Sequence, residues 1–216
     1  MLLPEPDLIS YNKADKTVTM EFSEDQSLNG EYQVRGSVCW PILDVKTGVM
    51  TGAFLVAGRR CDDNVVYIFK STSFTNVDPI QDVGGKILYD GCARWLSHMW
   101  TRFCAYRYFW HQAFVIHARW RREVHSSAMI RPKPTFIEVE CDNVNLIQSI
   151  IWEKLHAGRL VYGTDIKEAV DVYQVNPEAE IPEVLALQTL LVGYDKFPFR
   201  RSNRQEKPDI SIFPRR

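Results

Sequence analysis

Apolar and polar residues alternate in two segments near the start of the chain, residues 17–22 and 31–40, and this period of two constrains the fold more than any other feature. Two apolar segments follow, residues 49–57 and 65–70, which are predicted as further strands and which short polar segments separate. A period of two is typical of half-buried β-strands, because successive side chains point to opposite faces of a sheet. Since short links between consecutive strands favour antiparallel pairing, the N-terminal part is predicted to form a meander.

A helical period replaces the alternation after Gly84-Gly85. Apolar and aromatic side chains then recur every three or four positions, at Leu88, Cys92, Trp95, Met99, Phe103, Tyr106 and Trp110. This spacing predicts one long helix over residues 88–110 with a broad aromatic face.

The second half of the chain mixes strand and helix patterns. Alternation predicts strands over 113–125 and 135–141. A helix is predicted from about Asn143 to Gly158, where glycine is a suitable C-cap, and residues 164–175 fit either a helix or a strand. A last helix is predicted over 182–191, with Gly193 beyond its end.

Together these elements predict an α+β fold. A single domain over residues 1–195 is expected to pack an antiparallel sheet, made of the N-terminal meander and the later strands, on one long aromatic-rich helix. Small helices would lie near its C-terminus. Residues 196–216 contain three prolines and are predicted to form an extended basic tail.

Several functional classes have no support in the sequence. No apolar run approaches the about 20 residues of a membrane-spanning helix, and the first residues lack the features of a secretion signal. None of the five cysteines forms a CxxC pair, so reduced thiols are expected rather than zinc ligands or disulfides. We therefore predict a cytoplasmic protein without a cofactor or a membrane partner.

The charge is strongly segregated although the net charge is only −1. Residues 1–85 carry a net charge of −5, 86–133 of +7, 134–195 of −8 and 196–216 of +5. The basic central segment also contains ten aromatic residues. Cationic side chains contact phosphates, and aromatic rings stack on unpaired bases.

The basic segments predict a non-enzymatic subunit that binds nucleic acid, with DNA and RNA both left open. Arg94, His98 and Arg102 would lie on one side of the long helix, at intervals of four residues. The complete set of predicted contact residues is Arg94, His98, Arg102, Arg107, His117, Arg119, Arg121, Arg122, Arg131, Lys133, Arg200, Arg201 and Arg204.

Two alternatives use the same residues differently. The helix aromatics Trp95, Phe103 and Trp110 also fit a hydrophobic core. The charged surfaces suit protein contacts equally well, which would make the chain a structural or adaptor subunit of an assembly or a homo-oligomer.

A third hypothesis is an enzyme acting on phosphodiesters or nucleotides. His117 and His125 share one face of a predicted strand, but eight residues of regular strand would separate them by about 26 Å. Glu138, Glu140 and Asp142 are spaced by two and could together hold a metal ion, although a solvated or salt-bridged strand face explains them equally simply. No nucleotide-binding loop or catalytic signature is present, so we favour a protein without enzymatic activity.

Overall fold

The computed structural model describes residues 2–43, 48–76, 86–111, 133–141, 144–176 and 181–198. Within these residues the fold is α+β, with eight strands in one mostly antiparallel sheet and four α-helices. The strands are β1 Leu8–Asn12, β2 Thr17–Glu21, β3 Gly30–Leu43, β4 Met50–Arg60, β5 Val66–Asn76, β6 Arg107–His111, β7 Thr135–Val139 and β8 Leu160–Tyr162. The helices are α1 Lys86–Phe103, α2 Val144–His156, α3 Thr164–Val175 and α4 Pro182–Lys196.

The first five strands form an antiparallel meander in the order β1-β2-β3-β4-β5, in which β2 to β5 match predicted strands and β1 was not predicted. The sequence did not predict the parallel pairs that extend it. Strand β8 pairs with β5, while β6 lies between β3 and β7 and is parallel to both. Strands β2 and β6 therefore pair with different parts of β3, residues 30–32 and residues 36–38.

Helices cover both faces of the sheet. Helix α1 packs with one core, which includes Tyr32, Phe54 and Phe69. Helices α2, α3 and α4 pack with a second core on the opposite face, which includes Leu55 and Ile68. The prediction of a sheet packed on one helix was therefore incomplete, because three C-terminal helices cover the second face.

The second helical layer corrects the predicted exposure of β3. The alternation places Gln33, Arg35 and Ser37 on a polar face, and such a face is ordinarily exposed. In the structure these side chains are only 6%, 6% and 0% exposed, because α4 lies against this part of β3 and β4.

Helix α1 is shorter than predicted. It ends at Phe103, and residues 107–111 form strand β6 instead of continuing the helix to Trp110. Cys104 adopts a left-handed conformation with φ 51°, and its N–H donates to the carbonyl of Trp100 at 2.9 Å. This is the geometry of a helix C-cap, a position at which glycine is usual. Because a cysteine holds it here, the sequence gives no sign of the helix end, and the regular spacing of aromatic residues continues past it.

Helix α4 is longer than predicted, since it continues through Gly193 to Lys196. A side chain at position 193 would overlap the ring of Phe109 in β6, so glycine here permits close packing rather than ending the helix. The ambiguous segment 164–175 is helix α3. Strand β5 runs on to Asn76, through residues predicted to be a loop.

The predicted end of helix α2 is confirmed. Gly158 has φ +64°, and its N–H donates to the carbonyl of Leu155 at 3.3 Å. The N–H of Arg159 donates to the carbonyl of Lys154 at 2.8 Å, which completes a Schellman motif. The predicted strand over 113–125 and the tail from residue 199 lie outside the described residues.

Candidate nucleic-acid interface

The exposed side of helix α1 presents a row of cationic and titratable side chains. Arg94, His98 and Arg102 are all exposed, as their spacing predicts. The opposite side of the helix is buried in the core, with Cys92, Leu96, Met99 and Phe103 each at most 2% exposed. Because residues four apart are neighbours on a helix surface, the three form one continuous stripe, here called the α1 row.

The α1 row is little neutralised by acidic groups. Arg102 Nε lies 3.5 Å from Glu5 Oε2, and the Arg102 side chain remains 51% exposed. An exposed ion pair of this length contributes less than about 1 kcal/mol. Within the part of the chain that the structure describes, no carboxylate forms an ion pair with Arg94 or His98.

The aromatic side chains of this region mainly build the core, as the alternative interpretation expected. Phe103 and Trp110 are 0% and 4% exposed, so they are not available to stack on bases. Trp95 is half-buried, and its ring lies 5.2 Å from that of Phe54. Trp95 is therefore the aromatic residue beside the α1 row that keeps part of its surface in solvent.

Arg107 and Lys133 are the other predicted contact residues within the described part of the chain. Arg107 is half-buried at the start of β6, and its guanidinium lies 5.3 Å from the centre of the Tyr106 ring. Lys133 is exposed just before β7. The remaining predicted residues lie outside the described residues: His117, Arg119, Arg121, Arg122, Arg131, Arg200, Arg201 and Arg204.

Two buried arginines were not predicted as functional residues. Arg59 donates to the carbonyl of Tyr194 at 2.9 Å and to the side-chain oxygen of Gln33 at 2.6 Å. Arg35 donates to the carbonyl of Val34 at 2.8 Å. Burial lowers the pKa of both guanidinium groups below the ordinary value. Alternation placed Arg35 on the polar side of its strand, and Arg59 lies just beyond the predicted strand 49–57, so neither residue was predicted to be buried.

The residues proposed for catalysis form no described metal site. Glu138 and Glu140 are exposed at the end of β7, whereas His117, His125 and Asp142 lie outside the described residues. No group of three His, Cys, Asp or Glu side chains in the described ranges is arranged to hold a metal ion. None of the five cysteines, all of which lie within the described ranges, forms a disulfide, and burial raises the pKa of Cys39 to about 12.

Comparison with known proteins adds no functional information about these surfaces. None of the described helices is both long and apolar enough to cross a membrane. The chain matches no protein-family model, and no curated protein sequence matches it significantly.

Proposed function

We propose that this protein is a non-enzymatic, cytoplasmic subunit that binds nucleic acid through the α1 row. The observation that carries the proposal is the exposure of Arg94, His98 and Arg102 on one side of a rigid helix, with one weak acidic contact among them. Sequence-independent binding to nucleic acid rests on cations that are free to contact phosphates. Lys133 and the predicted basic residues beyond the described ranges would extend this surface.

The location of the α1 row also supports the proposal. Helix α1 is anchored on the sheet by its buried side, so the backbone that carries its exposed side needs no further ordering on binding. The two arginines and the histidine of the α1 row span about 12 Å along the helix, from the rise of 1.5 Å per residue. That distance covers about two consecutive phosphates of an extended single strand, and the half-buried Trp95 lies beside them.

A pair of charge-matched variants tests this proposal. Arg94→Gln with Arg102→Gln removes two positive charges from the α1 row. Loss of two phosphate contacts should weaken binding about tenfold or more at low salt, since each contact contributes a counterion-release term. Binding would be measured by fluorescence anisotropy with labelled single-stranded and double-stranded DNA and RNA.

The control is Arg159→Gln with Lys167→Gln, which removes the same formal charge. Both side chains are exposed, with 53% and 61% of their surface in solvent, and α3 lies on the opposite side of the sheet from α1. This variant should bind like the unaltered protein. Equal weakening by the two variants would contradict an interface on α1.

A second candidate is a subunit that contacts other proteins, and one observation favours it. Trp152 on α2 is 55% exposed, with its ring 4.0 Å from that of His156. Large exposed aromatic side chains are common at the centres of protein interfaces. A mass that rises with protein concentration in light scattering, together with no binding to any nucleic acid, would favour this candidate over the first.

A further inference from the structure

Three arginines lie on one face of three adjacent strands, and we call them the arginine cluster. Arg59 in β4 is paired with Gln33 in β3, and Arg35 follows two residues later on the same face. Arg107 in β6 precedes the Gly36–Tyr108 pair, which places it beside Arg35 on the other side of β3. All three positions are in phase with Phe109 and Ala57, which pack in the core beneath helices α2 to α4.

The positive charge of this cluster is only weakly offset by the described acidic side chains, of which Asp195 at the end of α4 acts on Arg59 from beyond ion-pair distance. Within the described residues, no carboxylate forms an ion pair with Arg35, Arg59 or Arg107. Arg35 and Arg59 are 6% and 8% exposed, so water screens their charges poorly. Buried charges are normally paired, and the lack of a partner here calls for an explanation.

The end of α4 accounts for part of the arginine cluster. Arg59 donates to the carbonyl of Tyr194, and its guanidinium lies 5.1 Å from the centre of the Tyr194 ring. The negative end of a helix dipole stabilises a nearby cation. This arrangement leaves Arg59 Nε buried with no hydrogen-bond partner in the described part of the structure. These contacts with Tyr194 do not involve Arg107.

The sheet is open beside Arg35. Strand β2 pairs with β3 up to Tyr32 and β6 pairs from Gly36, so neither register includes residues 33–35. On the α1 side of this opening lie the half-buried Tyr11 and Tyr106, whose hydroxyl groups are 2.8 Å apart and whose rings both contact Trp100 of α1. Both Arg35 and Arg107 are close enough to Tyr11 to lower its pKa, although burial of the ring raises it more. The opening therefore combines cations with neutral hydroxyl groups.

We propose that Arg35, Arg59 and Arg107 bind a doubly charged tetrahedral oxyanion, either inorganic phosphate or the phosphate group of a phosphate monoester. Guanidinium groups match such oxygens with parallel N–H donors, and several are needed to satisfy them all. A single carboxylate would leave most of the cluster's charge uncompensated, whereas a dianion neutralises most of it. Half-buried Arg107 marks the side from which the anion enters.

Thermal unfolding with phosphate tests this proposal independently of nucleic-acid binding. Sodium phosphate would be titrated against sodium chloride of equal ionic strength, with phenyl phosphate in a parallel series. A ligand that binds only the folded state raises Tm in a saturable manner. We expect such a rise with phosphate, with phenyl phosphate or with both. A higher Tm with both ligands would indicate a site that accepts phosphate monoesters. A higher Tm with inorganic phosphate alone would indicate a site that has room only for the free ion.

Arg107→Gln is the informative variant, because half-buried Arg107 can be replaced with less disturbance of the fold than buried Arg35 or Arg59. It should weaken the apparent phosphate affinity about tenfold or more, as expected for a lost charge-assisted hydrogen bond. Lys167→Gln removes one positive charge from an exposed side chain of α3 that belongs to neither proposed site, and it should leave the phosphate response unchanged. The Nε–H signal of Arg59 in arginine-selective NMR spectra should shift with phosphate in the unaltered protein.

Two results would overturn the proposal. One is a Tm that follows ionic strength alone in phosphate and in phenyl phosphate. The other is a phosphate response that Arg107→Gln and Lys167→Gln change equally, which would indicate general charge screening. Neither result depends on whether the α1 row binds nucleic acid, so the two proposals can fail separately.

Discussion

Gly193 controls how closely helix α4 approaches the sheet. It lies in the last turns of the helix, directly over the ring of Phe109 in β6. The neighbouring Tyr194 uses the close approach, since its hydroxyl lies 2.8 Å from the carbonyl of Gln33 and 2.9 Å from that of Ala57. This contact fixes the part of α4 that covers Arg35 and Arg59.

Replacement of Gly193 by alanine should destabilise the protein. Alanine favours a helix over glycine by about 1 kcal/mol, but the overlap with Phe109 costs about 1–3 kcal/mol. We expect a net loss of about 1 kcal/mol in the free energy of unfolding, measured with urea. In the double variant Gly193→Ala with Phe109→Leu, the loss in the free energy of unfolding should be smaller than the sum of the losses in the two single variants. Additive losses, or a gain in stability for Gly193→Ala alone, would contradict the proposed contact.

The buried arginines show which residue-level information the sequence lacks. Arg35 alternates with Val34 in the same way whether its face meets water or a second helical layer. Alternation reports which residues share a face, and it does not report what covers that face. The exposure of the α1 row could be predicted, because a helix that packs on a sheet buries its apolar stripe and leaves the opposite, polar side in solvent.

At the scale of elements, strands β2 to β5 and β7 and helices α1, α2 and α4 lie where the sequence predicts them. Strands β1, β6 and β8 and two helix ends were not predicted. Helix α1 ends where a cysteine adopts a positive φ, and no rule of composition marks Cys104 as a helix terminus. Helix α4 continues through a glycine that the sequence suggested as its end. The parallel pairs β3–β6 and β6–β7 depend on contacts between distant segments, which local patterns do not contain.

The β1–β2 hairpin offers a simple test of the backbone geometry. Lys16 is exposed and has φ 58°, at the last position of the turn before β2. Lys16→Gly should stabilise the protein by about 0.5–1 kcal/mol, because glycine avoids the strain of the left-handed conformation at some cost in unfolded-state entropy.

Lys13→Gly is the matched control for this hairpin, measured by the same denaturant unfolding. Lys13 is an exposed lysine of the same turn, and its φ is not positive. Glycine at this position should destabilise the protein slightly, through the entropy of the unfolded chain alone. Equal effects of the two substitutions would show that the turn does not hold Lys16 in the left-handed region.

At the scale of the whole molecule, the sheet separates two basic regions with different surroundings. The α1 row faces solvent on one side, and the arginine cluster lies beneath α4 on the other. Charge segregation was visible in the sequence, but the separation by a sheet covered on both faces was not. Exposed cations suit a long polyanion, whereas buried cations suit a small anion that can enter the fold.

The most direct test of the central claim is the salt dependence of nucleic-acid binding. Anisotropy titrations at about 50 mM and about 200 mM salt would use the full chain and a variant lacking residues 199–216. We predict micromolar or tighter binding at the lower salt, with log K falling against log salt at a slope of about −2 or steeper. The truncated variant should show a shallower slope if the basic tail contributes. No binding to any of the four nucleic acids at low salt, or binding that does not change with salt, would contradict the account.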